Sequence, residues 1–387
     1  MAIIRQLYNL PLNQDIIIRE FEVGTQPTIP AFAVMIDGLV NADLITQLLE
    51  SLIVFSKGAA PRKKVSEYIL RDLFPGQQTS LVQNFQQVLD AINFGDTVFF
   101  FEHSRQAVVV DSKGFKSRGV EKPSNEQLIM GPHEAFNEVL RVNTGLLRRI
   151  MRTKDLITEY LKVGERISND VVLVYLNNLV NPQLLQEVRN RLKSLRVDFI
   201  SDSGMLEELI IERPFNLFPQ TLSTERPDKV ASCLLEGKVG ILVGGSPNAL
   251  IVPTTIFDQL HTGEESYLRW QYGSFIRWVR MLAFLISFLL PGLYVAIMLY
   301  HQEMLPTELL MAVAANREQV PFPTIVEILL MEVSFELVRE AGIRVPGLIG
   351  PTIGIIGGLI LGQASVEANL VSPILVVLVA VTGLASF

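Results

Sequence analysis

From Val279 onward charged residues become sparse, and apolar segments follow one another to the end of the chain. No other feature constrains the fold as much, because an apolar run of about 20 residues has the length of a membrane-crossing helix. The first segment, 278–300, carries Pro291-Gly292 in its middle, a pair that predicts a kink tolerated among neighbouring helices. The second covers 324–341 and the third 348–366. The fourth, 374–387, is too short to span, so it is expected to be incomplete and the chain a fragment.

The second segment holds Glu327, Glu332, Glu336, Arg339 and Glu340 among apolar residues. An ionisable group at the centre of a membrane helix costs roughly 2.5–3.5 kcal/mol, so such groups face a bundle interior or a water path. At roughly 100° per residue, Glu332, Glu336, Arg339 and Glu340 share one helix face and Glu327 points elsewhere. Glu336 and Arg339, three apart, are expected to pair. Two readings stay open: a polar network joining helices, or a path of carboxylates that attracts cations. Gly350, Gly354, Gly358 and Gly362 recur every fourth residue, along one face where another helix can approach closely.

Residues 1–270 have ordinary globular composition and hold most of the charge. A net charge of −7 without a basic tract argues against binding nucleic acid. One cysteine, Cys233, excludes an internal disulfide and fits a reducing compartment. The N-terminus lacks the basic and apolar regions of a signal peptide, so the large first part is expected to be cytoplasmic. Arg269, Arg277 and Arg280 before the first segment agree with that orientation. It places Arg339 and Arg344 at the cytoplasmic end of the second segment and Glu327 nearer the outer face. Residues 301–321 contain PTELLMAVAANREQ, the pattern of a helix lying at the interface or re-entering.

Within 14–255 the chain repeats itself at an offset of about 140 residues. AFAVMIDGLVNADLITQLL from Ala31 matches VVLVYLNNLVNPQLLQEV from Val171: an apolar run, a polar turn, then an amphipathic helix. Asn41 and Asn181 fall at N-cap positions, with Pro182 at the first helical residue. The stretches from Gln86 and Asp228 both read helix, glycine, strand, tight turn, strand. The pattern predicts two similar α/β subdomains with mixed sheets, 1–130 and 131–265, bridged by a helix over 132–150, then a helical transmembrane domain over 266–387.

Gly244-Gly245-Ser246-Pro247-Asn248 reads as a hairpin turn, because it lacks the Gly-Lys-Ser/Thr ending of a phosphate loop. Thr224-Glu225-Arg226-Pro227-Asp228-Lys229 reads as a helix start capped by Thr224 or as an interaction surface, with Glu225, Arg226 and Asp228 its charges. Arg148 and Arg149 head the strongest basic cluster, either a solvated helix face or a contact for anionic headgroups or an acidic subunit. His103, His133, His261 and His301 show no paired spacing, so no metal site is expected. Neither a nucleophile motif nor a dinucleotide fingerprint occurs, and neither catalysis nor a cofactor is expected.

Ordered motifs from about residue 130 onward resemble those of the GerA family of spore germination proteins, the A-subunit type of germinant receptors. They are GPHEAF at Gly131, NTGLLRR at Asn143, FPQTLSTERPDKV at Phe218, LLPGLYVA at Leu289, PFPTIVE at Pro321, FELVREAGIRVP at Phe335 and LILGQASVEANLVSP at Leu359. REAGIRVPGLIGPTIGI is most similar to the stage V sporulation protein AF branch. The family pattern has Asp-Gly-Ser-Pro where this chain has Gly244-Gly245-Ser246-Pro247. The resemblance implies a cytoplasmic region of two α/β subdomains and a helical domain in the inner spore membrane. It also implies a ring of subunits that conducts ions, working with a permease-like B subunit and a lipoprotein C subunit. A non-conducting scaffold and a proton-coupled transporter remain as alternatives.

Overall fold

The structure is a computed structural model that describes residues 1–24, 28–55, 78–102, 104–114, 126, 130–216, 218–344 and 349–386. At positions 55, 266, 343, 344, 349–356 and 359 it describes the backbone alone. The chain divides into two units, Met1–Tyr267 and Leu268–Phe387.

The first unit holds two sheets of five strands with one topology. Strands β1 (Ile16–Val23), β2 (Ile29–Ile36), β3 (Thr79–Val82), β4 (Thr97–Phe101) and β5 (Ala107–Val110) line up in the order β1-β2-β4-β5-β3. In the second sheet β6 (Leu156–Val163), β7 (Asn169–Leu176), β8 (Leu222–Thr224), β9 (Val239–Val243) and β10 (Ala249–Val252) follow the order β6-β7-β9-β10-β8. Register repeats as well as order. Ile16 faces Ile36 across β1–β2, and Leu156 faces Leu176 across β6–β7. Every strand pair among the described residues is antiparallel, which corrects the expectation of mixed sheets. Short buried strands signal a sheet covered on both faces, and helices cover both faces here without parallel pairing.

Local chemistry sets the helices. Asn41 caps α2 (Ala42–Glu50) by accepting the Asp43 and Leu44 N–H groups, and Asn84 caps α3 (Phe85–Phe94) through Gln86 N–H. Asn181 caps α5 (Pro182–Ser194) through Gln183 N–H, with Pro182 at the first turn. Gly95 ends α3 at φ 96°, a left-handed conformation that glycine adopts without steric cost. Alternate residues of β2 then serve two cores. Ala33 and Met35 pack with Ile45 and Leu48 of α2, while Val34 and Ile36 pack with α1 (Ala2–Leu7) and α3. In the second sheet α4 (Leu140–Ile150) and α7 (Pro227–Leu235) cover one face. The other face is covered by α5 and α6 (Ser203–Ile210). The bridging helix is shorter than expected from 132–150, because Asn143 binds the backbone of Asn137 and holds the preceding turn out of helix. Residues 244–248 do form the turn between β9 and β10. A short helix, α8 (Ile256–Leu260), follows the last strand.

The second unit consists of α9 (Trp270–Tyr300), α10 (Thr307–Arg317), α11 (Thr324–Arg344), α12 (Ile349–Glu367) and α13 (Pro373–Ala385). Its core joins Leu290 and Tyr294 of α9, Ile328 and Met331 of α11, Val366 of α12 and Leu375 and Val379 of α13. Among the described residues α9 alone is long and apolar enough to cross a membrane, and α13 is apolar but shorter. It begins before the predicted segment and runs unbroken through Pro291.

Candidate functional site

Glu327 lies on the first turns of α11 and is 1% exposed. Its Oε1 is 3.4 Å from Arg317 Nη2 at the end of α10, and its Oε2 accepts the Ser372 N–H at 3.2 Å. One carboxylate therefore joins α10, α11 and the residue that precedes α13. A charge-paired, hydrogen-bonded carboxylate is the form in which burial is tolerable, and removing the partner would leave a buried charge. Arg317 Nε, Thr324 Oγ1 and Ser372 Oγ at the same place have no protein partner among the described residues.

The remaining carboxylates of α11 do not act as one face. Glu332 turns toward α13, 3.5 Å from Thr382 Oγ1. Glu336 is exposed and pairs with Arg339 at 2.6 Å, and Glu340 is exposed on the next turn. The same division runs through the glycine ladder. Gly362 faces Val376 of α13, where an added Cβ would come within 3.3 Å, whereas Gly358 faces open space. Gly350 and Gly354 lie in α12, but their surroundings are outside the described residues. Among the described glycines of the helical unit the tightest approach is off the ladder: a Cβ on Gly383 would meet the Phe335 ring at 2.5 Å.

In the first unit, the residues read as an interaction surface are mostly internal, which corrects that expectation. Arg148 is 1% exposed; its Nε and Nη2 bind Asp15 at 2.7 and 2.8 Å, and Nη2 also binds Asn13 at 2.7 Å. Asn13 reaches on to Leu156 and Thr158, so the pair ties the start of the first sheet to the second. Arg149 stays partly exposed and pairs with Glu134, while burial and then Arg152 lower its pKa. Glu225 and Arg226 are 6% and 1% exposed, and Arg226 Nη2 binds Asp228 at 2.7 Å. Thr224 ends β8 and accepts the Arg226 N–H instead of capping α7.

Sequence reasoning missed two residues of this cluster. Glu126 accepts from Thr224, from the Glu225 N–H at 3.2 Å and from Lys229 at 2.9 Å. Tyr267, the last residue of the unit, donates its hydroxyl to Asp228 at 2.7 Å. Burial first, then the Asp228 carboxylate, pushes the Tyr267 pKa up to about 12, so it stays a donor through the physiological range. Both partners are distant in sequence, so no local pattern announces them. Of the histidines, His103 lies outside the described residues, and no group of metal-ligating side chains occurs among the described ones.

Comparison with known proteins agrees with this architecture. Spore germination protein KA of Bacillus subtilis is 36% identical over 375 residues, 97% of this chain and 69% of that protein. Spore germination protein GerLA of Bacillus cereus is 42% identical over 303 residues, 78% of this chain and 62% of that protein. A crystal structure of the N-terminal domain of the A subunit of the Bacillus megaterium spore germinant receptor GerK3 is similar at TM-score 0.52 and 29% identity. That likeness covers 66% of this chain and 93% of that one. The family of Bacillus/Clostridium GerA spore germination proteins matches residues 2–387, and the chain belongs to that family.

Proposed function

We propose that this chain is an integral membrane subunit of a spore germination complex that forms, or helps to form, a path for monovalent cations. The first unit would lie on the cytoplasmic side and the second would cross the inner spore membrane several times. A ring of such subunits, with a permease-like B subunit and a lipoprotein C subunit as partners, would act when nutrient triggers germination. A role of the stage V AF type is the variant favoured by the wording around Arg339 and Gly350.

The observation that carries this reading is the division of labour along α11. Glu327 is buried and charge-paired, suited to coupling helices, while Glu336 and Glu340 are exposed on α11 beside the exposed apolar Val333 and Leu337. Carboxylates in such surroundings are affordable where they meet water or another subunit. Arg339 next to Glu336 would set how strongly the group attracts cations. Of the two basic residues a scaffold would use, Arg148 is consumed inside the protein, which leaves Arg149 alone for that role.

Reconstituting the protein in vesicles and measuring potassium flux tests the reading. E336Q and E340Q are expected to lower flux or cation selectivity with assembly intact, and E327Q to disturb assembly. Flux and selectivity unaltered by all three changes would remove α11 from the ion path.

A further inference from the structure

Between α6 and β8 the first unit presents apolar side chains that its own core leaves uncovered. The neck of this loop is closed by one side chain: Gln220 accepts the Glu212 N–H at 3.0 Å and donates to the Arg213 carbonyl at 3.0 Å. The Asn216 N–H also returns to the Arg213 carbonyl at 3.0 Å. Polar groups are thus satisfied at the base, while Phe215 is 99% exposed and Phe218 51%. Gln259 donates to the Thr221 carbonyl at 3.3 Å, which ties the exit of the loop to α8. There Ile256 and Phe257 are 41% and 59% exposed, and Ile256 lines one groove together with Phe218.

Phe218 and Ile256 share that groove, and Phe215 and Phe257 beside them in sequence are more exposed still; exposed apolar side chains of this size mark a contact surface. Chain continuity points to lipid: α8 ends at Leu260, and the long apolar helix begins at Trp270. Trp270 and Tyr272 in the first turn of that helix are 76% and 56% exposed. Glu207, Glu208 and Glu212 border the loop against Arg213, and Arg191, which lines the same groove, is engaged by Glu187 at 2.7 Å and Glu212 at 3.8 Å, so attraction to anionic headgroups is not what the surface is built for. We propose that Phe215 and Phe218, with Ile256 and Phe257 of α8, insert into the interfacial layer of a bilayer. This lipid contact holds the α/β unit down on the membrane in addition to its covalent tether. It rests on the membrane reading above.

The full chain, reconstituted in vesicles that contain brominated phosphatidylcholine, separates the two. F215W and F257W are each placed in a W270F/W278F background, and a W270F chain that keeps Trp278 reports on the apolar helix. Bromolipid is expected to quench the F215W and F257W indoles by half or more, equally with and without phosphatidylglycerol, and to protect them from acrylamide. Indoles open to acrylamide and untouched by bromolipid, in vesicles where Trp278 is quenched, overturn the lipid contact and leave the membrane reading standing. Quenching that requires phosphatidylglycerol also overturns it, since the contact would then be electrostatic. Unquenched Trp278 would remove both.

Discussion

Arg148 is the residue whose removal should cost the first unit most. Both of its charged bonds go to Asp15 within a fully buried site, so R148A leaves a carboxylate without its counter-ion. Losing one partner of a buried pair costs about 3–5 kcal/mol, and thermal unfolding should record a loss of that size. Replacing both partners, R148M with D15L, should recover part of it. Cys233 is a second case. Burial pushes its thiol up, so alkylation at pH 8 should be slow in the native protein and fast in denaturant. The identity of Arg148 was readable from the sequence, but its environment was not. A basic residue followed by Arg149 and Arg152 reads as solvated, and its partner lies 133 residues away.

Among the elements, the two halves of the helical unit make opposite demands on their glycines. G383A drives a methyl group into the Phe335 ring and should destabilise the α11–α13 packing by about 1–3 kcal/mol, measured as a lower melting temperature in detergent. G358A meets nothing within 4 Å among the described residues and should leave that temperature unchanged. If the ladder faces a second subunit, G358A should nevertheless shift the assembly state seen on size exclusion. Spacing alone placed Gly358 and Gly362 on one face, but spacing cannot say which helix, if any, comes to meet each. At the other end of the first unit, Y267F deletes the hydroxyl that Asp228 accepts. Hydrogen bonds to charged groups contribute about 1.5–3 kcal/mol, so amides at 262–267 should exchange about tenfold faster or more in the variant. Exchange in β9 should not change.

At the scale of the whole molecule, the first unit carries its own core and pairs its two buried arginines, Arg148 with Asp15 and Arg226 with Asp228. A piece ending at Tyr267 should therefore stay soluble without detergent and unfold cooperatively, as circular dichroism during heating would show. The corresponding domain of the GerK3 A subunit has been crystallised on its own. The helical unit should require detergent, because α9 leaves most of its apolar side chains exposed.

Whatever depends on neighbours along the chain was determined by the sequence itself: the Asn41 and Asn181 caps, the glycine stop of α3, the repeat of the two sheets and the apolar run of α9. Those features follow from short-range geometry and from periodicity, which a linear string carries in full. Only the tertiary structure decided that Arg148 and Arg226 are internal, that Glu332 parts from Glu336 and Glu340, and that Gly383 rather than Gly358 is crowded. A side chain's burial and its counter-ion are set by segments that meet only after folding, so residue type and spacing leave them open.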